Sequence, residues 1–103
     1  MKYVAPMNKA LRVSPALAAS PEVEAERRAK IGSFFKDARL RMGITPEAVA
    51  AELELESVQT VHDYESGLAS MPVDDIFALT NLLNLPPEDV MDLVHELYLF
   101  GAD

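Results

Sequence analysis

Two imidazoles, His62 and His95, and no cysteine are the side chains from which a metal site or a soft nucleophile would have to be built. Neither histidine has a second His or Cys at ligand spacing, so a metal centre would need carboxylates alone to complete it, and none is expected. The absence of thiols removes disulfides, thiolate nucleophiles and cysteine-based zinc sites. The four glycines form no phosphate-cradling loop, and no Ser, His and acid are spaced to suggest a nucleophilic centre. The expectation is a non-enzymatic protein with no catalytic residue, no cofactor and no metal.

What remains is the chemistry of charge, and its distribution is uneven. The formal net charge of −8 averages over two unlike parts. Residues 1–43 hold all nine Lys and Arg against four acids, a local +5, while residues 44–103 hold thirteen acids and no Lys or Arg, a local −13. A basic first part can meet phosphate or another acidic surface, and an acidic second part cannot do so unaided. No run approaches the roughly 18 apolar residues of a membrane span, and Pro6, Asn8, Lys9, Arg12 and Pro15 break every stretch that might serve as an export signal. The expected location is the cytoplasm.

The elements that position these charges are helices. Residues 1–19 show no period and are expected to form a flexible basic arm. Ser20 and Pro21 open a first helix, with Glu22, Glu24 and Glu26 at the positive end of its dipole and Glu24–Arg28 and Glu26–Lys30 as i,i+4 pairs. Ile31, Phe35, Ala38 and Met42 recur on one face of that helix, and Gly43 ends it. Thr45 and Pro46 open a second helix of about two turns, with Val49, Ala50 and Leu53 inward. Ser57 caps a third through Glu65, with Val58, Val61 and Tyr64 spaced for burial and Gly67 as terminator. Pro72 with Asp74 and Asp75 opens a fourth, whose Ile76, Leu79, Leu82 and Leu83 turn inward. A fifth begins at Pro86–Pro87 and is expected to run over 86–100, with Val90, Leu93, Val94 and Leu97 inward. Met91, Leu97, Tyr98, Leu99 and Phe100 carry apolar surface beyond one face, which motivates a homodimer or a docking contact through this last helix. The chain is thus read as one all-α domain over 20–103 preceded by the arm.

Residues 31–83 resemble the XRE, or lambda-repressor-like, helix-turn-helix family. The residues that carry the resemblance are Ile31-Gly32, Phe35, Arg39, Gly43-Ile44-Thr45, Val49-Ala50 and Tyr64-Glu65-Ser66-Gly67. Four pieces in order, at these intervals, are more specific than any one of them. The resemblance implies a five-helix fold, a partly buried ion pair between Arg39 and Glu65, and a third helix that enters the DNA major groove. On this chain the positions implied to reach bases are Val58, Gln59 and Asp63, with His62 nearby.

Several departures from the family pattern bear on function. Only Gln59 is a natural base reader. Pro46 replaces a phosphate-contacting Gln and offers no N–H. From Ala50 to Glu65 there is one residue more than usual, placed in the turn, and Glu52, Glu54 and Glu56 rim that turn. Phosphate neutralisation would fall to the arm residues Lys2, Lys9 and Arg12 and to a patch with Lys36 and Arg41, while Arg27, Arg28 and Lys30 read as a solvated helix face. Two functions follow. The first is a regulatory protein in transcription control that acts through protein contacts, with another regulatory protein as partner. The alternative is a conventional dimeric DNA-binding transcription regulator using the third helix and the arm. An antitoxin would be a special case of either.

Overall fold

The first three helices each begin where a hydroxyl takes up a free amide. Ser20 Oγ accepts from Val23 N–H at 3.3 Å, Thr45 Oγ1 from Ala48 N–H at 3.1 Å, and Ser57 Oγ from Gln59 N–H at 3.0 Å. The computed structural model describes residues 20–97, which form α1 (Pro21–Met42), α2 (Pro46–Glu52), α3 (Val58–Ser66), α4 (Val73–Leu82) and α5 (Pro87–His95). The described residues contain no strand, so the architecture is an all-α, five-helix one. Helices α4 and α5 start at Pro72 and Pro86 without a side-chain cap and carry acids in their first turn instead.

Four helices stop in the same way. Gly43, Glu54, Gly67 and Asn84 have left-handed φ values of 71°, 56°, 86° and 54°. Behind each, the next residue donates its N–H back across the last turn: Ile44 to Arg39 O, Leu55 to Ala50 O, Leu68 to Asp63 O and Leu85 to Thr80 O, at 2.9 to 3.1 Å. This closure satisfies carbonyls that a helix end leaves open and is commonly followed by an apolar contact. Ile44, Leu55 and Leu85 make that contact and pack against the core, whereas Leu68 stays 77% exposed.

The core consists of Ile31, Phe35 and Ala38 from α1, Val49 and Ala50 from α2, Val61 from α3, Leu79 and Leu83 at the end of α4, and Val90 from α5. Helix α1 packs chiefly on α3, and α2 packs on α3 and α4. Phe34 and Phe35 meet edge to face at 5.4 Å, one ring on the core and one half-buried beside it.

Two expectations change. Met42 is exposed, because the neighbouring helices cover α1 only as far as Arg39 and its last turn, Leu40 to Met42, overhangs them. Arg27 does not lie on a solvated face. It is buried, donating Nε–H to Leu97 O at 2.9 Å and Nη1–H to Glu24 at 2.9 Å, so Glu24 pairs with Arg27 at i+3. Helix α5 is α-helical over Pro87–His95 and continues as a wider π-type turn at Glu96 and Leu97; the expected helix over 86–100 runs past the described residues, and Tyr98, Leu99 and Phe100 lie outside them. The Arg27 guanidinium thus places a cation at the C-terminal side of α5, where the helix dipole favours it.

Candidate functional site

The candidate site is the outer face of α3 with the turn that precedes it, and its geometry follows from how α3 is held. At Gly32 of α1 an added Cβ would collide with Tyr64 O and stand 2.6 Å from Glu65 O, so the two helices cross with main chain against main chain. Near the end of α3 a Cβ on Gly67 would stand 2.7 Å from Ala29 Cα, at a φ that already requires glycine. At the second of these approaches Arg28 donates Nε–H to Gly67 O at 2.9 Å. Arg28 is therefore a structural clamp, not a free surface charge.

The fourth anchor is ionic. Arg39 donates Nε–H to Glu65 Oε2 at 2.6 Å and Nη2–H to Oε1 at 3.2 Å, a two-pronged pair whose side chains are 8% and 9% exposed. The third arm of the guanidinium, Nη1, reaches Ile44 O at 2.9 Å and so ties the α1–α2 turn to the same pair. From the residue before Glu65, Tyr64 donates its O–H to Asp75 Oδ2 of α4 at 2.8 Å. Burial, and then the hydrogen bond and charge of Asp75, push the Tyr64 phenol up to about 12, which keeps it a neutral donor.

Held in this way, α3 turns Gln59, His62 and Ser66 outward. Val58 is half-buried and packs against the core, leaving little of it to offer a ligand. Gln59 Nε2 donates to Asp63 Oδ1 at 3.0 Å, one helical turn on, so the one amide suited to reading a base is engaged within its own helix. Glu52, Glu54 and Glu56 are all exposed on the turn, and Pro46 sits at the first position of α2. Lys36 and Arg41 are exposed on α1, while Lys2, Lys9 and Arg12 lie outside the described residues. In the last helix Met91 is exposed, but Leu97 packs against the chain's own core.

The described residues contain no cluster of three or more His, Asp or Glu able to hold a metal ion, and none of their helices is long and apolar enough to cross a membrane.

Sequence reasoning missed three structural residues of α1, of which Gly32 and Arg28 support α3 and Arg27 holds the end of the described chain. The signal for Arg27 was its place four residues before Ile31, on the inner stripe of α1. The signal for Gly32 was a glycine inside a helix, a costly choice unless another backbone comes close. Nothing local distinguished Arg28, whose partner is 39 residues away.

No curated protein and no solved structure gave a significant match to the chain. A family model described as a helix-turn-helix domain matches residues 30–93, which run from the middle of α1 into α5 and take in α2, the acidic turn and α3. With more than half of its length matched in this way, the chain belongs to the helix-turn-helix domain family.

Proposed function

We propose that this chain is a non-enzymatic helix-turn-helix regulator in transcription control whose α3 face meets another protein rather than a bare duplex. One observation carries the reading: the exposed face around α3 offers Glu52, Glu54, Glu56 and an internally bonded Gln59, and residues 44–97 contain no Lys or Arg. DNA affinity rests largely on cations that displace counterions from phosphates, and acids at the rim of the groove-facing element add repulsion. An acidic face of this kind complements a basic protein surface, where opposite charge speeds encounter and selects the partner.

The family match favours a second reading, in which α3 enters the major groove and the basic residues of the first part of the chain supply the phosphate contacts. The experiment is fluorescence anisotropy of a labelled duplex at about 50 mM and about 200 mM salt, with the unaltered protein and with a Glu54→Lys/Glu56→Lys variant. The proposal expects no binding by the unaltered protein at either salt and salt-sensitive binding by the variant. Duplex binding by the unaltered protein that collapses between the two salts would replace the proposal with the second reading.

A further inference from the structure

A cleft of about 230 Å³ opens where four helices meet. Ile31 of α1, Tyr64 of α3, Ile76 of α4 and Val94 of α5 form its walls, together with Met71 from the segment that joins α3 to α4. The walls are almost wholly apolar. An apolar cavity of about 150 Å³ takes up benzene, so this cleft has room for roughly nine or ten non-hydrogen atoms.

Arg28 is the one charged side chain that lines the cleft. Gly67 O holds its Nε at 2.9 Å, which fixes where the guanidinium lies, while Nη1 and Nη2 have no hydrogen-bond partner among the described residues. Glu24, the acid one turn before it, is bonded to Arg27 instead. No acid lines the cleft, and Asp75, which accepts the Tyr64 O–H, is not among the lining residues. A guanidinium held at one nitrogen and open at the other two presents the paired N–H donors that a carboxylate accepts. Apolar walls with a single placed cation therefore suit a molecule with a hydrocarbon body and an anionic head.

We infer that this cleft binds a small apolar carboxylic acid, with the hydrocarbon chain against Ile31, Ile76 and Val94 and the carboxylate on the outer nitrogens of Arg28. The walls supply most of the affinity and the arginine supplies the selectivity. A neutral or cationic molecule of the same shape gains the burial without the charge-assisted bonds. Because the acid would touch α1, α3, α4 and α5 together, it binds the folded domain and not the unfolded chain, and it stabilises the fold by that preference. Gln59, His62 and Ser66 form no part of the walls, so the inference stands or falls independently of what the outer face of α3 binds.

The test is an NMR titration of the full chain, followed by its amide shifts, with octanoate, octan-1-ol and octylammonium as probes, each to about 3 mM. Octanoate is expected to move the amides of Ile31, Tyr64, Met71 and Ile76 in a saturable way, with a Kd of about 0.1 to 1 mM. The alcohol and the ammonium ion should bind about tenfold more weakly. Arg28→Gln should weaken octanoate by a similar factor. Since Arg28 also clamps Gly67, a second variant, Val73→Glu, adds an acid at the edge of the cleft without touching the clamp. Val73 is 63% exposed and a further acid in the first turn of α4 suits its dipole, so this variant keeps the fold while it repels the carboxylate and spares octylammonium. No saturable shift with octanoate, equal binding of the three probes, or an octanoate affinity unchanged by both variants would overturn the inference. So would octanoate binding that appears only in a Tyr98→Ser/Leu99→Ser/Phe100→Ser variant, which would make the chain's own last residues the occupant.

Discussion

The guanidinium of Arg27, near the start of α1, donates to the carbonyl oxygen of Leu97, just past the end of α5, across 2.9 Å and seventy residues of sequence. The bond joins the two ends of the described domain, and Arg27 is only 3% exposed. Replacing Arg27 with Leu removes a charged donor from that partly buried carbonyl, at an expected cost of about 2 kcal/mol. Denaturant unfolding would show the loss, and hydrogen exchange should show it concentrated in α5, whose end would fray before the rest unfolds.

The pair between Arg39 and Glu65 gives a sharper contrast. Truncating either residue to Ala strands the other in the interface between α1 and α3 and should cost about 3 kcal/mol or more. The double variant Arg39→Met/Glu65→Leu should recover much of that loss, because well-packed apolar residues can replace a buried ion pair at little net cost. A double-mutant cycle by chemical denaturation reads both results, and two single losses that simply add in the double variant would show the residues acting independently.

Stability at high pH reports on Tyr64. Its phenol is raised from the ordinary 10.0 to about 12 by burial and by Asp75. With the folded-state value the higher of the two, the contribution of the neutral phenol is fully present below about pH 10 and is lost as pH rises through about 12. The denaturation midpoint should therefore fall more steeply between these values in the unaltered protein than in a Tyr64→Phe variant. That variant should start lower, by about 1 kcal/mol, for want of the bond to Asp75.

Glu54 occupies a conformation that suits glycine, at φ 56°. A non-glycine residue there costs roughly 1 kcal/mol, and Asn is among the few that tolerate it. Glu54→Gly should raise stability by about 0.5 to 1 kcal/mol, more than Asn84→Gly does at φ 54°. Thermal melts of the two variants side by side measure the difference.

These cases show which parts of the fold were legible in the sequence. The starts at Ser20, Thr45 and Ser57 were readable because a cap acts within three residues of itself. The stops at Gly43 and Gly67 were readable for the same local reason, whereas Glu54 carries no sign that it bends left-handed, and its turn shows only as an extra residue. Met42 was misplaced because periodicity gives a direction around a helix but not how far the neighbouring helices extend along it. Arg27 was read as surface because charge suggested water, although its position on the stripe of Ile31 and Phe35 pointed inward. For the candidate face, the surplus of acid was plain in the sequence. The bond that occupies Gln59 is a matter of rotamer, and Arg28 at Gly67 depends on a crossing that no local pattern records.

The crossing at Gly32 has a consequence for how such a domain changes over time. The distance between α1 and α3 is fixed where backbone meets backbone, so it does not depend on what the outer side of α3 displays. The frame and the display are thus under separate control. Gln59, His62 and Ser66 can be rewritten as a set, by selection or by a designer building a library, while the helix that carries them keeps its pose. A lineage could pass from one class of partner to another by repainting a few exposed positions, with no intermediate that has to fold anew.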